Sequence, residues 1–179
     1  MIDRLKNCCM LQIMKTSKKK TTIALPVVLG AVIGQGQLLL IKRNFLPFVG
    51  LWGMPGGKVH FGEHLDQAVI REVWEECNIK TKWLKLCGVV TENLYLNRNN
   101  SLHYLLHIGQ LRPINFDLKP SNEGKVQWFP LKDLSKLRKE MIPSDFIMLN
   151  RLVLGNPRKF YYRCDVKRSN DQYIVNFFR

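Results

Sequence analysis

The sequence predicts an α/β (α+β) fold, and three observations carry that expectation. Several short runs rich in Val, Ile, Leu and aromatic residues are bounded by Gly, Asn and Asp, as strands are. One run between them repeats its apolar residues every fourth position, as an amphipathic helix does. The chain has 179 residues, which is one domain's length and enough to bury a core.

Taken in order, Met1 to Lys20 combine a brief apolar patch with the basic block Lys15, Lys18, Lys19 and Lys20, and carry no secretory signal pattern. This segment is expected to be disordered. The main domain is expected over 21–155, with an extension over 156–179 packed on it. Thr21 to Leu29 and Ala31 to Ile41 read as two strands of a hairpin, with Gly34-Gln35-Gly36-Gln37 as the turn. Arg43 to Gly56 is rich in Phe, Pro and Gly and reads as a loop. Loops carry recognition residues, so Phe45, Phe48 or Trp52 could stack on a ligand's base; Trp52 could equally plug the core.

A helix follows from Leu65 to Cys77, in which Leu65, Val69 and Val73, with Ala68 and Cys77, form an apolar stripe. Strands are expected at Lys85 to Glu92, Leu102 to Leu111 and Lys125 to Phe129. His103 and His107 would pair on a helix, but their Leu, Tyr and Ile neighbours make that stretch a strand, so both read as ordinary side chains. Pro143-Ser144-Asp145 opens a C-terminal helix to Leu154, with Phe146, Leu149 and Val153 inward and Gly155 ending it. Phe160 to Val166 and Tyr173 to Phe178, around Ser169-Asn170-Asp171, form an added β-hairpin, suited to edge pairing or a homodimer contact.

Composition narrows the partners. The net charge of +14 favours polyanions, which include nucleotides, nucleic acid and anionic surfaces. The longest apolar run, Ile23 to Ile33, is broken by Pro26 and Gly30 and falls short of the roughly 20 residues that span a bilayer, so no membrane partner is expected. Five cysteines, an odd set without metal-ligand spacing, point to reduced thiols and a cytoplasmic location.

The chemistry concentrates in Gly57 to Ile79, GKVHFGEHLDQAVIREVWEECNI. On a helix Glu72, Glu75 and Glu76 stand at i, i+3 and i+4, so their carboxylates share one face. Three like charges repel, and the arrangement makes most sense around a hard divalent cation such as Mg2+, which takes oxygen ligands and shares them with substrate phosphates. The plain alternative is a solvated acidic face.

The spacing decides between them. Gly57, Glu63, Arg71-Glu72-Val73, Glu75-Glu76 and Asn78-Ile79 resemble the signature of the Nudix hydrolase family (MutT-like), G-x5-E-x7-R-E-U-x-E-E-x-G-U, with U aliphatic. Chance agreement at the eight positions other than the second glycine is on the order of one in 10^8 to 10^9 per starting point. Trp52-Gly53-Met54-Pro55-Gly56-Gly57 is similar to the lead-in of many members. Asn78 replaces the second glycine; Asn tolerates the left-handed conformation best among non-glycine residues, so the helix end is expected to survive.

The resemblance implies an α/β/α sandwich with a mixed sheet, and hydrolysis of a nucleoside diphosphate linked to another group by water attack at phosphorus. It implies Mg2+, with Mn2+ as a substitute, held by Glu72, Glu75 and Glu76, with Glu63 as a ligand or support. Arg71 would orient those carboxylates. The general base would be a box glutamate, Glu75 or Glu76, or else Glu123, with Glu92 a weaker candidate. Gly56 and Gly57 would approach the phosphates, and Arg43, Phe45 and Trp52 the rest of the substrate. The partner expected is a small nucleotide: a (d)NTP, an oxidised dNTP or an ADP-ribose-like compound. RNA 5'-end processing ranks behind it, and a nucleotide- or RNA-binding module without catalysis ranks last because the box glutamates are all present.

Overall fold

The computed structural model describes residues 23–97, 100–119 and 121–179. The expectation of disorder over 1–20 therefore lies outside the described residues. Alternation of side chains decides the layering. In β1 (Leu25–Gly34) and β2 (Gln37–Arg43), Val28, Val32, Leu39 and Ile41 enter one buried cluster, while Ala31, Leu38 and Leu40 enter another on the opposite face. A sheet that is apolar on both faces needs cover on both. Helix α1 (Leu65–Cys77) covers the first with Ala68, Val69, Val73 and Cys77. Helix α2 (Pro143–Met148) and the wider turn over Leu149–Val153 cover the second with Met148, Leu149 and Leu152.

The remaining strands are β3 (Trp52–Gly53), β4 (Gly56–Lys58), β5 (Thr81–Asn97), β6 (Asn100–Pro113), β7 (Gly124–Pro130), β8 (Tyr161–Ser169) and β9 (Gln172–Phe178). The sheet runs β3-β2-β1-β6-β5-β8-β9, with β4 added to β1 and β7 to β2. β1 with β6 and β5 with β8 are parallel, and the other pairs are antiparallel, so the sheet is mixed.

Both hairpins form at the expected turn residues, but β1 runs unbroken through Gly30 to Gly34, so the break expected between Leu29 and Ala31 is absent and β2 begins only at Gln37. Gln35 and Gly36 take φ of 50° and 70°, and Asn170 and Asp171 take 46° and 61°; a two-residue turn that follows the strand twist needs such left-handed pairs. The C-terminal hairpin extends the main sheet, since β8 lies along β5 from Val89↔Tyr161 to Tyr95↔Lys167.

Several expectations need correction. β5 and β6 outrun their predicted bounds because shifts at Trp83/Lys85, Leu86/Gly88 and Tyr95/Asn97 let the ladder continue through residues that break simple alternation. Arg43 to Gly56 is not all loop, since Trp52–Gly53 pairs with β2. Between β7 and α2 a tight 3-10 helix runs over Leu131–Leu137. The C-terminal helix stops being α-helical at Met148; Leu154 N–H then reaches back five residues to Leu149 O at 2.9 Å. This wider turn rotates the inward face, so Met148, Leu149 and Leu152 are buried, while Phe146 and Val153 are half-buried against the same core.

His103 and His107 lie on β6, where four residues span roughly 13 Å, too far to share a metal ion. Cys77, Cys87 and Cys164 are buried and free. Among the described residues no helix is long and apolar enough to cross a membrane.

Candidate active site

Helix α1 is fixed at both ends. His64 N–H donates to Gln67 Oε1 at 3.0 Å, closing the first turn. At the other end Asn78 adopts φ 58° and ψ 27° and donates its N–H to Trp74 O, the left-handed stop expected at that position. Between the ends the helix treats neighbouring acids differently. Glu76 follows Val73 by three residues and Val69 by seven, so it turns toward the sheet and is only 6% exposed. The side chain of Glu75, one residue earlier, is 56% exposed.

Arg71 holds the acidic face together. Its Nε and Nη2 donate to Glu63 Oε1 and Oε2 at 2.8 and 3.0 Å, and Nη1 donates to Glu72 Oε1 at 2.8 Å and Glu75 Oε2 at 3.1 Å. Nη2 also reaches Lys58 O at 3.1 Å, which ties the loop to the helix. The hydrogen bonds from Arg71 hold Glu63 down to about 2, from an ordinary value of 4.5, with His60 N–H adding to the effect and partial burial opposing it.

Glu76 shows the opposite shift. Burial pushes it up to about 8; the Gly56 N–H, which donates to Oε2 at 2.9 Å, opposes this, the charges of Glu72 and Glu123 reinforce it, and Arg43 opposes it. The two glycines before the helix are required by space. A Cβ on Gly56 would lie 2.1 Å from Val28 O, and a Cβ on Gly57 would lie 2.5 Å from Glu72 Oε1. The Glu72 carboxylate thus rests directly on bare backbone.

Among the described residues no three His, Cys, Asp or Glu side chains converge tightly enough to hold a metal ion. Like charges separate when only Arg71 stands between them. The donor chemistry nonetheless fits a hard divalent cation: every donor is a carboxylate oxygen, Glu72 sits in a cradle that a side chain at position 57 would fill, and Glu76 is buried and forms no ion pair among the described residues.

Next to these acids opens a cavity of about 370 Å3. Gly56, Gly57, Lys58 and Arg43 line it, as do apolar side chains of β1 and β6 and two buried acids, Glu92 and Asp145. Burial pushes both acids up to about 7. Asp145 Oδ2 accepts the Met54 N–H at 2.8 Å. Glu92 receives the Ser144 and Cys164 side chains, yet its Oε2 has no hydrogen-bond partner. An unsatisfied buried acceptor costs about 1–3 kcal/mol, and more when charged.

The structure brings together Glu63, Arg71, Glu72, Glu75, Glu76, Gly56, Gly57 and Arg43. Glu123 lies exposed beside them, its carbonyl accepting the Asn44 N–H and its charge acting on Glu76. Phe45 and Trp52 stand elsewhere. Phe45 is 54% exposed and off the cavity wall, where Leu46, Pro47 and Phe48 take its place. Trp52 is in the core, 5% exposed and edge-on to Phe129, so it plugs the fold and offers no face to a base. Sequence reasoning did not single out Asp145 as a cavity residue and took Glu92 only as a weak candidate base. A signal for Glu92 was available: it occupies the inward position between Val90 and Leu94, where a strand facing a core should carry an apolar residue.

A sequence model of the NUDIX domain matches residues 24–152. The chain is 34% identical over 109 residues to an ADP-ribose pyrophosphatase of Methanocaldococcus jannaschii, a match covering 60% of this chain and 63% of that relative. It is 28% identical over 121 residues to the diphosphoinositol polyphosphate phosphohydrolase 3-alpha of Mus musculus, covering 68% of this chain and 71% of that one. In three dimensions it is similar to the MutT NUDIX hydrolase from Burkholderia pseudomallei, with TM-score 0.62 and 27% identity, covering 73% of this chain and 98% of that structure.

Proposed function

The chain belongs to the NUDIX family, and from that premise we propose that it is a divalent-cation-dependent hydrolase that cleaves the phosphoric anhydride of a nucleoside diphosphate-linked compound. The observation that carries this reading is the junction of the α1 acids with the cavity at Gly56-Gly57, where Glu76 and Glu72 meet bare backbone on the cavity wall. Glu72, Glu75 and Glu76 would hold the cation, Mg2+ with Mn2+ as substitute, and Glu63 would support them. When bound, the cation supplies charge neutralisation for the phosphates and makes water a better nucleophile at neutral pH.

The chain's own residues do the rest. Arg71 holds Glu63 and Glu72 at the same edge of the helix, which limits the side-chain freedom that is lost when the acids close on the cation. Gly56 and Gly57 let the phosphate chain lie on the backbone, and Arg43 and Lys58 bring positive charge to the same cavity. A box glutamate or Glu123 accepts a proton from water as its oxygen bonds to phosphorus, and the bridging P–O bond breaks. The products are a nucleoside monophosphate and pyrophosphate or another phosphorylated group.

Among the activities carried by the relatives' names, ADP-ribose hydrolysis fits this cavity better than diphosphoinositol polyphosphate hydrolysis. A polyphosphorylated inositol would bring many negative charges against two cations, Arg43 and Lys58, and two buried acids, whereas a nucleotide places its phosphates at one end and an uncharged base among apolar walls. The test is a panel of (d)NTPs, oxidised dNTPs, ADP-ribose, NADH, dinucleoside polyphosphates, capped RNA and diphosphoinositol polyphosphate, assayed with Mg2+. Best turnover is expected on a mononucleotide compound, with labelled solvent oxygen in one product only. A more than tenfold preference for RNA ends, with a steep fall as salt rises, would replace this reading with RNA processing. No cleavage of any compound would favour a binding module.

A further inference from the structure

We propose that Tyr173, on the C-terminal hairpin, is a positioning residue of the substrate cavity: it fixes Phe48 as a wall of that cavity and thereby sets the affinity for substrate. The inference rests on the reading of the cavity as the nucleotide site, and it adds a residue from outside the stretch, residues 24–152, that matches the family.

Phe48 lines the cavity together with Pro47 and Met54. Its backbone is unusual for its type: φ is 70°, in the left-handed region where an aromatic side chain crowds its own main chain. A residue stays in such a conformation where its surroundings hold it there. Within the loop, the Phe48 carbonyl accepts the Leu51 N–H at 3.1 Å. The Phe48 N–H instead crosses to the hairpin and donates to the Tyr173 hydroxyl oxygen at 3.2 Å. The two rings lie against each other, with centroids 4.4 Å apart and planes tilted by 53°. Phe48 is only 7% exposed, so loss of the hydroxyl would leave an enclosed donor unpaired.

Tyr173 is held in turn. It sits opposite Arg168, whose guanidinium lies 6.0 Å from the centre of its ring, and it packs half-buried against the core cluster that contains Phe48. The hairpin is paired to β5 from Val89 to Tyr95, so Tyr173 ties the loop to the main sheet. The phosphate end of the cavity is anchored separately. Arg43 ends β2, its N–H donates to Leu51 O at 3.0 Å, and its carbonyl accepts the Gly50 N–H at 2.8 Å. One contact joins the two ends, Arg43 Nε to Pro47 O at 3.0 Å, and Arg43 keeps its backbone anchors without it. Tyr173 therefore acts on a wall that contacts substrate equally before and during reaction, and its loss shows in KM and not in kcat.

The test compares Tyr173→Phe, which keeps the ring and removes the acceptor, with Val175→Ala, which trims a core side chain on the same face of β9. In the full chain, hydrogen exchange of the Phe48 amide, followed by NMR, is expected to be at least about tenfold faster in Tyr173→Phe than in wild type. KM for the best substrate of the panel is expected to rise about fivefold, with kcat within about twofold. Val175→Ala is expected to lower the melting temperature and to leave KM and Phe48 exchange at their wild-type values. Unchanged Phe48 exchange or unchanged KM in Tyr173→Phe overturns the proposal. So does an equal rise of KM in Val175→Ala, which would make the hairpin a general support. Phe48→Ala removes the wall itself, and a wild-type KM in that variant overturns the proposal whether or not Tyr173→Phe folds. Hydrolysis by wild type with unchanged KM in Tyr173→Phe fails this inference only. If wild type hydrolyses nothing, the functional reading fails by itself, and affinity is read by calorimetric titration of AMP with Mg2+. Tyr173→Phe should then bind AMP about fivefold more weakly; equal affinity, or no AMP binding by wild type at millimolar concentration, overturns this inference as well.

Discussion

On α1, the guanidinium of Arg71 donates to Glu63, Glu72 and Glu75. On the α2 side of the cavity, Glu92 and Asp145 lie almost fully enclosed and form no ion pair among the described residues. The residue types are the same, yet a shared cation keeps Glu63 ionised far into acid while burial makes Glu92 and Asp145 hold their protons to near neutrality. The lesson is that an acid's role follows its surroundings. Carboxylates paired with a cation at a solvent-facing edge stay ionised, whereas enclosure makes a carboxyl hold its proton, in Glu76 as in Glu92 and Asp145.

The largest expected effect separates the two groups by function. Glu76→Gln should lower kcat on the preferred nucleotide by at least about a hundredfold while the circular dichroism melt stays cooperative, since the change removes charge from the catalytic edge. Unchanged turnover at saturating Mg2+ would remove Glu76 from the chemistry. Gly57→Ala is expected to cost about tenfold in kcat, because the added Cβ would stand 2.5 Å from Glu72 Oε1 and the carboxylate must shift. Wild-type kcat in that variant would show that the placement of Glu72 against the backbone is immaterial.

The same contrast should appear in stability with opposite signs. Arg71→Lys loses the forked contact with Glu63, and urea unfolding should show a loss of about 1–3 kcal/mol. Glu92→Leu removes a partly unsatisfied buried carboxyl, and should be neutral or stabilising by about 1 kcal/mol. A destabilised Glu92→Leu protein would mean that the Ser144 and Cys164 contacts outweigh the desolvation of the acid.

The smallest effect is in the pH dependence of the melting temperature, where the lowered and the raised acids act in different windows. Glu63 is depressed in the fold to about 2, so its contribution is complete above about 4.5 and is lost as pH falls toward 2. Glu92 and Asp145 are raised to about 7 and Glu76 to about 8, so the folded state binds more protons than the unfolded one between their ordinary values, near 4, and 8; stability falls as pH rises through that range and then levels. Glu92→Gln should make the second limb shallower, with the shares of Asp145 and Glu76 remaining, and leave the first. A second limb of unchanged slope would assign it to other groups.

What the sequence alone determined about this protein is what depends on neighbours along the chain. The α1 stripe, the three glutamates on that helix, the left-handed stop at Asn78 and the positive-φ pairs of the two hairpins follow from helical period and turn chemistry acting over a few residues. Only the tertiary structure decided that Glu76 is enclosed while Glu75 is not, that Phe48 and not Phe45 walls the cavity, and that Trp52 belongs to the core. It also decided the meeting of Glu92 with Asp145, which requires β5 to sit between β6 and β8 and α2 to fold onto that face. The parallel pairings of β1 with β6 and β5 with β8 join segments far apart in the chain. Local pattern marks such segments as strands and leaves their partners open, because pairing is settled by burial of the whole sheet between its two helical layers.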